Sequence, residues 1–307
     1  MYIFGPVPSR RLGLSLGIDL LNFKSCDFNC IYCELGRTFR YVDKRQIFVK
    51  TSDVMTEFKE FLSTGTKTDY VTFSGSGEPT LALNLGEAIG EVKKITNTPV
   101  ALITNSSLFY DDNVIKDTAK ADVVLPSMDA ADEETFIKIN RPHGFFTFKK
   151  FLDGFMRFCK EYKGKIWVEV MLVKGINDDK NHIMKLKSIF DKIPEIEKIQ
   201  LNTVVRLRAE EYAEPLESEK MEEIKKLIGE RAEIIGTFKG GKIKTINNLK
   251  DAITSIVRLR PVSLDDLKSV LNCSERDIVE ILEQLEKENV VKKENLYGRV
   301  FYKGMNA

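Results

Sequence analysis

The chain has 307 residues, of which 43% are hydrophobic and 30% are charged, and its formal net charge is +1. This composition is typical of a globular protein with a substantial core, and it excludes a chain that binds nucleic acid over its whole surface. Five cysteines are too few for a disulfide scaffold, and no apolar run reaches the roughly 18 residues of a membrane span. The N-terminal residues lack the ordered regions of a signal peptide, so we expect a cytoplasmic protein without a membrane partner.

Short apolar runs alternate with amphipathic charged segments up to residue 235, which predicts βα units around a largely parallel sheet. The predicted strands are Leu14–Leu20, Tyr70–Ser74, Val100–Thr104, Val123–Pro126, Ile166–Val173 and Lys198–Thr203. The predicted helices are Ser52–Leu62, Leu85–Ile95, Asn113–Lys120, Glu133–Asn140, Phe148–Lys163, Lys180–Asp191 and Ser218–Ile228. These elements fit an incomplete barrel and an open doubly wound sheet equally well, and in both folds ligands bind at the carboxyl ends of the strands.

A glycine-containing segment at residues 236–247 predicts a linker between a first domain, residues 1–235, and a second, residues 248–307. The second domain is predicted to contain three helices and then a β-hairpin: Leu249–Arg258, Leu264–Leu271, Glu275–Glu288 and Val290–Lys303. This order is typical of a winged helix-turn-helix domain. Its third helix is acidic, whereas the hairpin carries Lys292, Lys293, Arg299 and Lys303. The hairpin suits contact with an RNA backbone or equally a solubilising edge, and the charge pattern favours docking of the domain to a protein or to the rest of the chain over nucleic-acid contact.

Three cysteines, Cys26, Cys30 and Cys33, follow the first predicted strand. Iron–sulfur clusters and structural zinc sites usually have four protein ligands, so three thiolates leave one coordination position open. The alternative is a zinc knuckle or a closed cluster completed by a distant residue. The candidates for that fourth ligand are Cys159, Cys273, His143 and His182. None of them stands at a zinc-ligand spacing, so the pattern favours an open, redox-capable cluster.

The spacing Cys-x3-Cys-x2-aromatic-Cys, with Tyr32 as the aromatic residue, resembles the signature of the radical SAM superfamily. The resemblance implies a partial (β/α)6 TIM-like barrel and a [4Fe-4S] cluster whose fourth iron binds S-adenosylmethionine. It further implies that one electron, from a donor such as a flavodoxin or ferredoxin, cleaves S-adenosylmethionine. The products are methionine and a 5′-deoxyadenosyl radical, which takes a hydrogen atom from the substrate.

The segment from Thr72 to Thr80 places glycines directly after the second predicted strand, where the backbone can approach a ligand closely. It resembles the Gly-Gly-Glu motif of radical SAM proteins. The resemblance implies that Gly75, Gly77 and Glu78 contact S-adenosylmethionine. The alternative is a plain tight turn.

Polar and apolar residues at the later strand ends complete the predicted cofactor site. The Asn105 amide is placed to form a hydrogen bond with the carboxylate or ribose of a ligand. The alternative is that it bonds its own backbone in a turn. The resemblance assigns Ser127 and Asp129 to the ribose hydroxyls, with an Asx-type turn as the alternative. Val173, with Ile176, is placed to cover the adenine unless it is simply core.

Three further segments resemble the branch of the superfamily that contains the wyosine-forming tRNA enzymes. They are Gly5–Gly13, Asn140–His143 and Asn202–Arg208. The branch members that condense pyruvate onto guanosine carry extra upstream cysteines for a second cluster, and here no cysteine precedes Cys26. The resemblance implies RNA, with tRNA first, as the substrate.

Arginines in these three segments are candidate substrate ligands. Arg10, Arg141 and Arg206 suit phosphate or carboxylate groups because guanidinium binds such groups through two parallel hydrogen bonds. The alternative is ion pairing within the barrel, and the candidate partners are Glu169, Glu210 and Glu211.

Two other functions stay open. One is radical modification of a peptide or protein, including activation of a glycyl-radical enzyme, which the acidic third helix of the second domain would suit. The other is a non-enzymatic iron–sulfur sensor that acts through the winged helix.

Overall fold

The computed structural model describes residues 2–205, 207–235, 249–259, 261–271, 273–296 and 299–305. Eight strands of the N-terminal part form one sheet in chain order: β1 (Ile3–Ser9), β2 (Gly13–Ile18), β3 (Tyr70–Phe73), β4 (Val100–Thr104), β5 (Val123–Pro126), β6 (Lys165–Leu172), β7 (Ile196–Thr203) and β8 (Ala232–Ile234). Strands β2 to β8 are parallel, whereas β1 runs antiparallel to β2.

All six predicted strands are present, and two more, β1 and β8, were not predicted. Pro6 and Pro8 argue against a strand at β1, because proline cannot donate to a sheet ladder. The structure accommodates them because β1 is an edge strand, which among the described strands pairs with β2 alone. Strand β8 is three residues long, which is too short for a clear periodicity.

Helices connect the parallel strands: α1 (Thr51–Ser63), α2 (Leu85–Ile95), α3 (Asp112–Thr118), α4 (Glu133–Ile139), α5 (Phe148–Glu161), α6 (Lys180–Phe190) and α7 (Ser218–Ile228). Each corresponds to a predicted helix, with bounds that agree within two residues. Side-chain oxygens fix where several begin: Asp111, Asp132, Thr147 and Asp179 each accept a hydrogen bond from the first turn of the helix that follows. No helix in the described part of the chain is long and apolar enough to cross a bilayer.

The sheet curves into a partial barrel. Its outer face packs against α1 to α7 in one apolar core. Side chains of its inner face come from strands that are far apart in the sheet, yet they line a single cavity: Ser15, Thr72, Ile103, Glu169 and Asn202. A doubly wound sheet would have helices on both faces, so the observed arrangement is the barrel-like one.

The C-terminal residues form three helices and a small sheet: α8 (Leu249–Leu259), β9 (Val262–Ser263), α9 (Leu264–Val270), α10 (Glu275–Lys287), β10 (Val291–Leu296) and β11 (Arg299–Gly304). The predicted helices and hairpin are present, and β9 adds a short third strand beside β11. Ser263 and Ser274 begin α9 and α10 with capping boxes. The predicted linker at 236–247 and the hairpin turn at 297–298 lie outside the described residues.

The C-terminal unit packs against the β1–β2 hairpin. Phe4, Val7 and Leu14 belong to the same apolar cluster as Ile253 and Ile256 of α8. Phe4 and Val7 also line the barrel cavity. The hairpin is therefore a thin wall between the cavity and the C-terminal unit.

Candidate active site

The cavity inside the barrel has a volume of about 330 Å³ and reaches the loops at the carboxyl ends of β2 to β5. Nine of the eleven predicted site residues line it: Cys26, Cys30, Tyr32, Cys33, Gly75, Gly77, Glu78, Asn105 and Ser127. The other two, Asp129 and Val173, are buried and do not line it.

The loop that carries the three cysteines is held from two sides. On one side Ser25 pairs with the glycine loop, which comprises residues 74–78. The Ser25 N–H donates to the Ser76 carbonyl oxygen, and the Ser25 carbonyl oxygen accepts from the Glu78 N–H. On the other side the N–H groups of Asn29 and Ile31 donate to carbonyl oxygens in residues 139–143. The second segment contains the Asn-Arg-Pro-His motif, so this motif fixes the cysteine loop in place.

All three cysteines are free thiols on the cavity wall. Burial raises the pKa of the Cys26 thiol well above its ordinary value and that of Cys30 to about 12. A thiolate here consequently needs a neighbouring cation such as iron. Among the described residues, no three metal-binding side chains converge where one metal ion could bind. In a four-iron cluster each cysteine binds a different iron, so separated thiols suit a cluster better than a single zinc ion.

None of the four residues considered as a fourth ligand lines the cavity. Cys159 is buried in the core around α5, and His182 is buried in α6. The ring of His143 stacks on Tyr41 with a centroid distance of 4.4 Å. Cys273 packs against the apolar cluster of the C-terminal unit. None of the four is therefore placed to complete a site with the three cysteines, and the open site stays a prediction.

Gly75 and Gly77 stand where a side chain would collide with the protein itself. A Cβ atom on Gly75 would lie 2.2 Å from the Asp19 Cγ, and Gly75 has a φ of +151°. A Cβ atom on Gly77 would lie 1.7 Å from the carbonyl oxygen of Ser25. The two glycines let the loop pack against β2 and the cysteine loop, and they leave its backbone open to the cavity.

The carboxylate of Glu78 is buried and accepts four hydrogen bonds. Its Oε1 accepts from the N–H and hydroxyl of Thr80 and from the hydroxyl of Thr104, and its Oε2 accepts from the Asn105 N–H at 2.6 Å. These bonds join the glycine loop to the end of β4. Burial, and next the charge of Asp27, raises the pKa of Glu78 to about 7 in spite of these bonds.

Asp129 is held by three donors within the protein. The Tyr32 hydroxyl and the Asn140 amide donate to its Oδ2 at 2.5 and 2.8 Å, and the Met171 N–H donates to its Oδ1 at 2.8 Å. Burial raises the pKa of Asp129 to about 6. These bonds link β5, β6 and the cysteine loop, and they fix the ring of Tyr32. A contact with ribose stays a prediction.

Ser127 and Val173 end neighbouring strands but differ in access to the cavity. Ser127 lines it, and its N–H donates to the Thr104 carbonyl at 2.9 Å. Val173 is fully buried, and its N–H donates to the Asn177 side chain at 2.8 Å. The assignment of Val173 to the adenine therefore stays a prediction that needs the side chain to become accessible.

Arg141 makes one of the ion pairs that the sequence offered as an alternative to substrate binding. Its guanidinium lies 2.5 Å from the Glu210 carboxylate and also contacts the Tyr212 hydroxyl. Arg10 lines the cavity, and Arg206 lies outside the described residues.

The wall of the cavity also carries a polar cluster that the sequence did not assign as a unit. Arg11 forms an ion pair with Glu169, and the Asn202 amide donates to Glu169 at 3.0 Å. Burial raises the pKa of Glu169, but the charge of Arg11 and the bond from Asn202 hold it below its ordinary value. The available signal was a glutamate between Val168 and Val170, in a strand that is otherwise apolar.

Comparison with known proteins identifies the family. The model of the radical SAM superfamily matches residues 23–187, which is more than half of the chain. The chain belongs to the radical SAM superfamily. It is therefore a radical SAM enzyme, and its cofactors are a [4Fe-4S] cluster and S-adenosylmethionine. The matched residues include the cysteine loop, the glycine loop and the ends of β4 to β6.

Two relatives match nearly all of this radical SAM chain. A UPF0026 protein of Methanocaldococcus jannaschii is 33% identical over 97% of this chain and 94% of its own length. A protein named GTPase Obg of Brachyspira hyodysenteriae is 36% identical over 98% of this chain, which spans only 45% of that protein. A radical SAM methyltransferase from Sphaerobacter thermophilus has the same fold, with a TM-score of 0.52 and 14% identity over 72% of this chain and 65% of its own.

Weaker similarity extends to two proteins with different substrates in their names. A pyruvate formate-lyase-activating enzyme of Staphylococcus epidermidis is 24% identical over 59% of this chain and 72% of its own length. A dual-specificity RNA methyltransferase RlmN of Buchnera aphidicola is 26% identical over 55% of this chain and 49% of its own length.

The radical SAM motifs led to the cysteines and the glycine loop, but not to the residues that support them. Asp19 accepts bonds from the N–H and hydroxyl of Ser76, and Asn140 contacts both Asp129 and Cys30. In the sequence, the one feature that points to a supporting role for Asp19 is its place near the end of a predicted strand. Asn140 belonged to a noted motif, but its contacts depend on tertiary structure.

Proposed function

We propose that Cys26, Cys30 and Cys33 hold the cluster, and that S-adenosylmethionine binds along the glycine loop toward Asn105 and Ser127. A reduced cluster held by these thiolates would supply the electron for cleavage of S-adenosylmethionine. The observation that supports this assignment is the placement of three free thiols and these strand-end residues on one cavity wall.

The residues of the chain prepare this chemistry by shape and polarity. Strands of the barrel and the loops at their carboxyl ends line the reaction space. Such walls limit the access of water, which protects a reactive radical from side reactions. The exposed backbone at Gly75 and Gly77 provides polar groups for the cofactor.

The enzymatic assignment is tested by anaerobic reconstitution with iron and sulfide, followed by dithionite and S-adenosylmethionine. We expect a brown protein that forms 5′-deoxyadenosine, measured by chromatography. Cys30→Ala should lose the brown colour and this product, whereas the matched Cys273→Ala should keep both. Cluster formation and cofactor binding without turnover would instead favour a sensor, provided that the substrate is present.

For the substrate, we propose RNA, with tRNA first. The resemblance to the wyosine branch supports this proposal, and so does a set of aromatic side chains beside the cysteine loop. Phe39 and Phe145 are almost fully exposed. Tyr41, two residues after Phe39, stacks on His143, two residues before Phe145. Exposed rings are the groups on which unpaired bases stack. A cavity of about 330 Å³ admits a single reacting group rather than a folded molecule.

The RNA proposal is tested with a Phe39→Ala and Phe145→Ala double variant. Base stacking contributes about 1–3 kcal/mol per base, so we expect at least a tenfold weaker affinity for total tRNA. Ile137→Ala, which also removes an exposed apolar side chain, is the control and should bind as the original protein does. Unchanged affinity in the double variant would argue against RNA.

A protein substrate is the second candidate, and the C-terminal unit favours it. We propose that this unit is a winged helix-turn-helix domain whose acidic helix α10 binds a protein partner. Two lysines of its hairpin are engaged already, because Lys292 pairs with Glu294 and Lys293 with Glu286. If Lys292→Glu with Lys293→Glu leaves RNA co-purification unchanged, the hairpin takes no part in RNA binding. We further propose a flavodoxin or ferredoxin as the electron donor.

A further inference from the structure

Two asparagine side chains, the buried Asn140 and the partly buried Asn105, contact the sulfur atoms of two of the proposed cluster cysteines. The Asn140 Nδ2 lies 3.5 Å from the Cys30 Sγ, and the Asn105 Nδ2 lies 3.7 Å from the Cys26 Sγ. Both distances are in the range of N–H···S hydrogen bonds. Among the hydrogen bonds of the described residues, no side-chain donor reaches the Cys33 Sγ.

An aspartate carboxylate fixes each of these amides. The Asn140 Nδ2 also donates to Asp129 at 2.8 Å, and the Asn105 Nδ2 also donates to Asp27 at 2.9 Å. A carboxylate oxygen accepts hydrogen bonds, so the amide must present its NH2 group and not its oxygen on that side. The Cys30 sulfur therefore faces the N–H donor of Asn140, and the Cys26 sulfur faces that of Asn105.

The opposite side of the Asn105 amide confirms its orientation. The Oδ1 accepts a hydrogen bond from the Ser107 N–H at 2.9 Å, so the NH2 group points toward the cysteine loop. Asp129, which orients the other amide, is itself held by Tyr32 and Met171. Both amides are thus locked before any cluster binds.

We infer that Asn140 and Asn105 are positioning residues that donate hydrogen bonds to the Cys30 and Cys26 thiolates and so raise the reduction potential of the cluster. The inference rests on the proposed ligation by the three cysteines. Hydrogen bonds to cysteine sulfur stabilise the extra negative charge of the reduced cluster, which makes reduction easier. The hydrogen bond to Cys26 also gives Asn105 a role that does not require contact with S-adenosylmethionine.

The test is the midpoint potential of the reconstituted cluster, measured by EPR-monitored redox titration without S-adenosylmethionine. Asn140→Leu keeps the size of the side chain and removes the donor. We expect the reduction equilibrium to shift at least tenfold toward the oxidised cluster, which is a midpoint about 59 mV lower for one electron. Asn105→Leu should shift it in the same direction.

The matched control is Asn84→Leu. Asn84 is also buried and donates from its amide to Val49 and Thr51, outside the cysteine loop. The midpoint potential of the cluster in Asn84→Leu should equal that in the original protein. An unchanged potential in Asn140→Leu and Asn105→Leu, or an equal shift in all three variants, would overturn the inference.

A second measurement does not depend on whether the variants fold. The original protein is labelled with [15N]asparagine, and pulsed EPR of the reduced cluster should detect coupling to 15N. A spectrum identical to that of unlabelled protein would refute the two hydrogen bonds. If the original protein gives no [4Fe-4S] signal at all, the cluster ligation fails, and that result is distinct from the failure of the hydrogen bonds.

Discussion

Buried carboxyl groups dominate the electrostatics of the site at the scale of single residues. The pKa of Glu78 is raised to about 7 and that of Asp129 to about 6, in both cases chiefly by burial. A carboxyl group with a higher pKa in the folded than in the unfolded protein binds more protons when folded. Its contribution to the free energy of unfolding is therefore lost as the pH rises toward the folded-state pKa.

We expect the free energy of unfolding of the cofactor-free protein to fall between about pH 4 and 7 because of these groups. Glu78→Gln should make this fall smaller, and it should also lower stability by about 1–3 kcal/mol, since one amide cannot accept all four bonds. Urea unfolding under reducing conditions measures both effects. Glu87→Gln, on the exposed face of α2, is the control and should keep the original pH dependence. An unaltered slope in Glu78→Gln would show that another group causes the fall.

At the scale of elements, the cysteine loop and the glycine loop form one unit. The bonds between Ser25 and residues 76–78 join them, and the missing side chain of Gly77 makes this approach possible. The strands themselves were predictable, because each is a short apolar run bounded by polar residues. The joining of the two loops was not, because it depends on the end of β2 meeting the end of β3.

Gly77→Ala should separate the two loops. We expect a loss of about 1–3 kcal/mol or more from overpacking, together with lower iron content after reconstitution. Gly90→Ala is the matched control: Gly90 lies in α2, and a Cβ atom there meets nothing within 4 Å. That change should stabilise the protein by about 0.5–1 kcal/mol, since alanine favours helix. Iron content and urea unfolding decide the outcome, and normal iron in Gly77→Ala would contradict the proposed joining.

At the scale of the whole molecule, the C-terminal unit covers the β1–β2 hairpin of the barrel. Ile253 is fully buried in the cluster that also contains Phe4, Val7 and Leu14. The hairpin contributes Phe4 and Val7 to the cavity as well, so the unit supports a wall of the candidate active site. Stability and the shape of the cavity are therefore linked across the molecule.

Ile253→Ala should lower the free energy of unfolding by about 2–5 kcal/mol, because it leaves a cavity in this cluster. Glu283→Ala, on the exposed face of α10, should change it by less than about 0.5 kcal/mol. Denaturant unfolding measures both. A cost for Ile253→Ala as small as that of the control would mean that the packing on β1 contributes little.

The sequence by itself determined the order and type of most elements, the three thiols and the glycine loop, because these depend on periodicity and spacing between near neighbours. Tertiary structure alone decided how they are used. Tyr32 meets Asp129 across 97 residues, and Asn140 meets Cys30 across 110. The ion pair of Arg11 with Glu169 and the docking of α8 on β1 are likewise distant in the chain. Such contacts follow from the curvature of the sheet, which brings strand ends together and which no local pattern of residues encodes.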